Sequence, residues 1–440
     1  MTTPQRLERD LPAILGELVL APYPDYIDDV LTTTAQRRQR PGWTFPERWL
    51  PMDLVTQRVP TPSLPWRQLG VLALIAILIG AALAVYVGSQ PRLPDPFGPA
   101  ANGVIAYSVA GDIYTADPLT GAVTPLVTGP EVDLRPSFSR DGSMVAFERK
   151  ANEQDPLSDV YVIRADGQDL TRVTTEPVPL AARRIETAPE GVEFAPDGRS
   201  LLIPVSRGLM VAAVDGSGAR DVGLGALSDS SRAFGSSFRP PGGSEILFVS
   251  TDDISANGGP GIYAVDPVSG DVRTIVEPRP ASDIILASWS PDGSRIAYTE
   301  WDPTSSVFTA RVHVVAADGT DDRTLPIPAA AVWQGASYWS NDGVQLLVLR
   351  GLSDGYAMVK AVVVPADGSS TGREIRYDGV VTGACCPVWE WAPDDSVVVG
   401  TPLDPQGRPI QQVIIDLDTG YARPAPWSST GDPTWQRLAP

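Results

Sequence analysis

The spacing of hydrophobic and polar positions changes twice along the chain. Residues 5–20 place Leu7, Leu11, Ile14, Leu15 and Leu18 at helical intervals, and residues 25–38 repeat this more weakly with Ile27, Val30 and Leu31. From Leu69 to Val87 nineteen residues carry no charge, and eleven of them are Leu, Ile or Val. That is about the length needed to cross a hydrocarbon core of roughly 30 Å. Beyond residue 102 short alternating runs are broken by Gly, Pro and Asp, the pattern of strands joined by tight turns.

The apolar stretch predicts a transmembrane helix, because a buried core helix would carry a polar face and this one has none. Arg48, Arg58 and Arg67 precede it, whereas Arg92 alone follows closely, so the N-terminus is expected in the cytoplasm. A cleaved signal peptide fits less well, since more than sixty residues precede the apolar run. Prolines on both flanks (Pro60, Pro62, Pro65, then Pro91, Pro94, Pro96, Pro99) read as stiff spacers. The chain thus divides into a cytoplasmic helical segment (1–67), a transmembrane helix (68–88), a Pro-rich linker (89–102) and an outer domain (103–440). Two short helices bury little alone, so residues 1–67 call for a partner, each other's face or the membrane surface.

The outer domain repeats itself. Trp289-Ser290-Pro291-Asp292-Gly293 precedes the apolar run Ile296-Ala297-Tyr298. Related copies begin at Phe138, Phe194 and Trp339, and degenerate ones at Phe238 (Arg239-Pro240-Pro241-Gly242) and Trp391 (Ala392-Pro393-Asp394-Asp395). Each predicts a hairpin: an aromatic ends one strand, Pro or its substitute pre-sets the turn, and Asp-Gly supplies a positive φ. A second Asp and Gly turn follows each hairpin, seven in all: Asp117 to Gly121, Asp166-Gly167, Asp215-Gly216, Asp266 to Gly270, Asp318-Gly319, Asp367-Gly368 and Asp416 to Gly420.

Six hairpins against seven outer turns leave the first sheet, with Val104 to Tyr107 and Ile113 to Ala116, short of its innermost strand. Thr434-Trp435-Gln436-Arg437-Leu438 starts one more copy at the end of the chain. Pairing that strand with the first three closes a ring and removes both sheet edges. Seven repeats over 103–440 give about 48 residues each, near the ~40 to 50 of propeller blades. The predicted fold is all-β, a seven-bladed β-propeller closed by the C-terminal strand. The Ser-Pro-Asp-Gly hairpins with their following Asp-Gly turns resemble the WD-like repeats of the TolB-type propeller family. That resemblance implies a fold rather than an activity, and in the family six blades are the usual number, which makes six the alternative count.

Charge narrows the function. Residues 1–67 balance eight Arg against eight Asp or Glu, so the formal −19 belongs to the remainder, with 26 basic and 45 acidic residues. Such a surface repels phosphate, which argues against nucleic acid as a partner. One histidine, His313, and two adjacent cysteines, Cys385 and Cys386, give little scope for a metal site, and no cofactor site is read. A small helical segment, one membrane helix and an outer sensor resemble membrane-bound anti-sigma factors in layout, which implies a sigma factor as partner of residues 1–67.

Candidate sites read as structural. Gly351-Leu352-Ser353-Asp354-Gly355 matches a hydrolase nucleophile elbow but falls between two strands rather than between strand and helix. His313 alternates with apolar neighbours as an ordinary strand residue does. Cys385-Cys386 reads as a strained turn or two thiols before a redox sensor. Asp318 to Asp322 and Thr251 to Asp253 read as turns that use Asp for local hydrogen bonds, since their spacing is not that of a calcium loop. No catalytic residue is assigned. The expected function is a non-enzymatic receptor or scaffold for a protein, peptide or glycan at the propeller face, with transcriptional regulation, or a hydrolase or lyase acting on extracellular polymers, as alternatives.

Overall fold

A computed structural model describes Val30, Thr32, Thr33 and residues 71–81, 97–180, 191–206, 208–224, 233–250, 261–279, 282–302, 309–327, 333–353, 355–375, 389–401, 410–429 and 433–439. The chain forms two compact units, Met1–Gln90 and Pro91–Pro440. In the first, Val30, Thr32 and Thr33 are helical, within the second helix expected there, and the expected helix over 5–20 lies outside the described residues. Residues 71–81 are helical with Leu72, Ile77 and Leu78 exposed. Among the described residues no helix is long and apolar enough to cross a membrane. At 1.5 Å per residue 71–81 spans only about half a hydrocarbon core, and the rest of the expected 68–88 helix lies outside the described residues.

The second unit is seven four-stranded antiparallel sheets. Blade 1 takes Ala101–Val109, Asp112–Ala116 and Val123–Val127 from its start and Thr434–Leu438 from its end. The closing strand pairs Ala101 with Leu438, Asn102 with Arg437, Ile105 with Trp435 and Ala106 with Thr434, across a bulge. The innermost strands of blades 2 to 7 are Val132–Phe138, Glu193–Phe194, Ala233–Phe238, Asp283–Trp289, Trp333–Trp339 and Trp389–Trp391. The count is seven, not the six usual in the TolB-type family.

The repeat motif explains itself in hydrogen bonds. Ser290 Oγ donates to Asp292 Oδ1 (2.5 Å), which also accepts from Ser294 N (3.0 Å), and Arg295 N donates back to Ser290 Oγ (2.9 Å). Gly293 N closes the turn on Ser290 O (2.8 Å) at φ 66°. The copies at Ser139 and Ser340 repeat these contacts. In the degenerate copy after Phe238 an extra residue enters, so the left-handed glycine is Gly243 rather than Gly242, with Gly243 N donating to Arg239 O (2.8 Å).

Apolar faces of neighbouring blades interdigitate in seven clusters around the ring, the one between blades 7 and 1 holding Ile105, Val399, Trp427 and Trp435. Outside them an arginine on the fourth strand of five blades donates to a carbonyl in the next blade's Asp-Gly turn: Arg220 to Pro267, Arg273 to Ala317, Arg323 to Asp367, Arg373 to Leu417 and Arg423 to Pro118. The last of these crosses the ring closure a second time.

Candidate functional site: the central channel

A cavity of ≈ 430 Å³ runs among the seven innermost strands. Strand alternation sends the motif aromatic between blades, so the residue just before it faces inward. Those seven residues, Ser137, Glu193, Ser237, Ser288, Tyr338, Glu390 and Thr434, all line the cavity. They also tie blade to blade: Trp435 N donates to Glu390 Oε1 (3.0 Å), and Phe138 N to Thr434 Oγ1 (3.4 Å). Glu193 and Glu390 are the two carboxylic acids of this ring.

Two residues after the aromatic stands the motif's proline, as in Pro240, Pro291 and Pro393. Where proline is replaced, Arg140, Asn341 and Arg437 enter the cavity wall instead. Arg437 is buried; its guanidinium donates to Asn341 Oδ1 (2.8 Å) and to Gly98 O. Arg140 lies 5.0 Å over the Phe97 ring and 3.5 Å from Glu193 Oε1. The chain segment entering the propeller at Phe97 and Gly98 therefore forms part of the channel wall. Arg135 also lines the cavity, at φ 52°, a strained conformation for a residue with a side chain, and Glu148 accepts from it at 3.0 and 3.3 Å.

Burial pushes the Glu193 carboxyl up to about 7, against the pull of Arg140 and of the Phe238 amide. A quarter of its side-chain surface is exposed, and that part faces the confined cavity, so solvation there falls short of bulk water. Burial likewise raises Glu390 to about 7, although the Trp435 N–H and the field of Arg140 oppose it. Carboxyls poised near neutrality in a cleft mark a candidate site. Trp289, Trp389 and Trp435 line the cavity with their rings, while their indole N–H groups are buried and find no acceptor among the described residues.

The residues singled out in the sequence lie elsewhere. Gly351 to Ser353 ends strand Gln345–Ser353 and Gly355 begins strand Gly355–Pro365, with Ser353 paired to Gly355, so the motif lies between two strands and not between strand and helix. His313 is buried on Thr309–Ala316, stacked on Tyr298 at 4.9 Å. Glu300 Oε2 faces its Nε2 and Asp322 Oδ1 its Nδ1, both at 3.2 Å, and Arg279 bridges the same two carboxylates. Burial depresses the imidazole pKa, but the two carboxylates outweigh it and the net shift is upward. With an anion at each ring nitrogen, His313 is an ion-pair lock rather than a base. Asp318 accepts from Thr320 N and Oγ1 at 3.0 and 2.6 Å, the local role expected of a turn. Thr251 to Asp253 and Cys385-Cys386 lie outside the described residues. Among the described residues no three His, Cys, Asp or Glu converge as a metal site requires.

No family model matches the chain, and no curated protein does. Solved structures do. An oligogalacturonate lyase in complex with manganese aligns at TM-score 0.53 and 16% identity over 76% of this chain and 86% of that one. An oligogalacturonate lyase from Vibrio parahaemolyticus aligns at 0.51 and 12% over the same shares. A putative TolB from Agrobacterium tumefaciens aligns at 0.42 and 14%, over 78% of this chain and 100% of that one. At these identities the likeness is one of fold. The class that emerges is a seven-bladed β-propeller with a channel lined by ionisable groups.

Proposed function

We propose that this protein is a membrane-tethered receptor whose propeller, outside the cytoplasm, holds its ligand in the central channel. The channel carries the reading: its ≈ 430 Å³ falls within the roughly 300–1,000 Å³ of small-molecule sites, and every inner strand contributes a side chain to it. Supporting the tether are the uncharged run from Leu69 to Val87, the exposed apolar side chains of its described part, and the arginines that precede it. In this reading residues 1–67 contact a cytoplasmic protein, for which a sigma factor is the partner suggested by the layout.

A photo-crosslinking residue placed at Ser288 in the channel should capture the ligand in membrane fractions of intact cells. The same residue at Leu119, 88% exposed on an outer turn, should not. Equal labelling from both positions, or none from Ser288, would contradict the reading.

One observation favours an enzyme as second reading. Glu193 and Glu390 have the near-neutral carboxyls that acid–base catalysis needs, on a fold shared with lyases. Cleavage of oligogalacturonate by the full chain, lost in Glu193→Gln or Glu390→Gln, would establish it, and absence of cleavage leaves the receptor.

A further inference from the structure

The charge of the channel rests on four groups. Arg135 is neutralised by Glu148, which leaves Arg140 and Arg437 against Glu193 and Glu390. Two guanidiniums and two ionised carboxylates sum to zero, and the same wall reaches +2 when both acids are protonated. The outer domain as a whole is strongly acidic, at 25 basic against 44 acidic residues over 103–440, so the channel is where its negative charge is locally absent. Aromatic surface is abundant there, because Phe97, Trp289, Tyr338, Trp389 and Trp435 all line the cavity. An aromatic wall with a guanidinium in reach matches an oxyanion on an apolar body.

We propose that the channel binds a small organic anion, a carboxylate-bearing molecule that pairs with Arg140 and lies against the channel tryptophans. This deepens the receptor reading and rests on it. Arg140 suits the role because its side chain is 40% exposed and its ion pair with Glu193 is long, at 3.5 Å, which leaves guanidinium N–H groups for a ligand. Arg437 is committed to Asn341 and Gly98. Affinity should rise on acidification. Glu193 faces Arg140 and the Phe238 amide, and Glu390 the Trp435 amide and the field of Arg140. Both lose their charge as the pH falls through about 7. Asp395, the other acid near the floor, is held by Asn341 N, Asn341 Nδ2 and Asp342 N at 2.7, 2.8 and 3.0 Å.

The test is calorimetric titration of the full chain in detergent with benzoate and with benzamide, its neutral isostere. Benzoate should bind, about tenfold more tightly at pH 6 than at pH 8 by linkage to a single such carboxyl. Binding should vanish in Arg140→Gln and return in part in Arg140→Lys, with thermal melting unchanged in both. Ser288→Trp, which fills the cavity, should block it too. Benzamide binding as tightly as benzoate, with both blocked by Ser288→Trp, would overturn the anion while leaving the channel as ligand site. Benzoate binding unaffected by Ser288→Trp would overturn both. No benzoate binding at either pH would overturn the anion.

Discussion

Removal of residues 433–440 should abolish cooperative unfolding of the propeller. Trp435 is 3% exposed in the cluster between blades 7 and 1, and losing a buried tryptophan alone costs about 3–5 kcal/mol. The deletion also strips a strand from Ala101–Val109, frees both edges of the ring, and removes the hydrogen bond from Gln436 Nε2 to Gly142 O (2.8 Å). The sum approaches the whole ~5–15 kcal/mol available to a domain. Circular dichroism should show no sharp transition, and sedimentation should show aggregate. A truncated chain that melts like the full one would mean that the ring does not depend on its last strand.

Alanine in the left-handed turn glycines should act very unequally, although the motif position is the same. At Gly198, φ 66°, a Cβ meets nothing within 4 Å among the described residues, and the substitution should cost only the ~1–2 kcal/mol of the left-handed conformation. At Gly142, φ 69°, it would lie 2.1 Å from Arg437 O, and at Gly293, φ 66°, 2.0 Å from Pro240 O. Arg437 O lies on the innermost strand of the preceding blade and Pro240 O in the turn after Ala233–Phe238 of the preceding blade, so these variants must move one blade against another. Gly142→Ala and Gly293→Ala should each lose about 3 kcal/mol or more in denaturant titration. Equal losses at all three positions would contradict the observed blade-to-blade contact at the turns.

Local chemistry made the fold readable. Ser290, Asp292 and Gly293 satisfy one another within a few residues, so their order announces a hairpin before any tertiary contact exists. Closure was readable from the mismatch between six hairpins and seven outer turns. The site was not, because nothing local requires a glutamate before Phe194 or Trp391. Comparison of the copies would have found it: that position reads Ser, Glu, Ser, Ser, Tyr, Glu, Thr, and the proline position gives way to Arg140, Asn341 and Arg437. The inter-blade arginines had a signal too, in the near-constant interval from Arg220 through Arg273, Arg323 and Arg373 to Arg423. His313 had none, since Tyr298, Glu300 and Asp322 reach it through strand pairing and turns.

Whether the inner strands carry the chemistry is answered most directly by titrating Glu193 and Glu390. A carboxyl whose folded pKa lies above its unfolded value binds its proton more tightly when folded, so the domain should lose stability as the pH rises from about 4.5 toward 7. Infrared difference spectra should show protonated carboxyl bands that persist to near pH 7, one lost in Glu193→Gln and the other in Glu390→Gln. Spectra in which every carboxyl has ionised by about pH 5.5, as solvated glutamates do, would contradict the buried, ligand-poised channel described above.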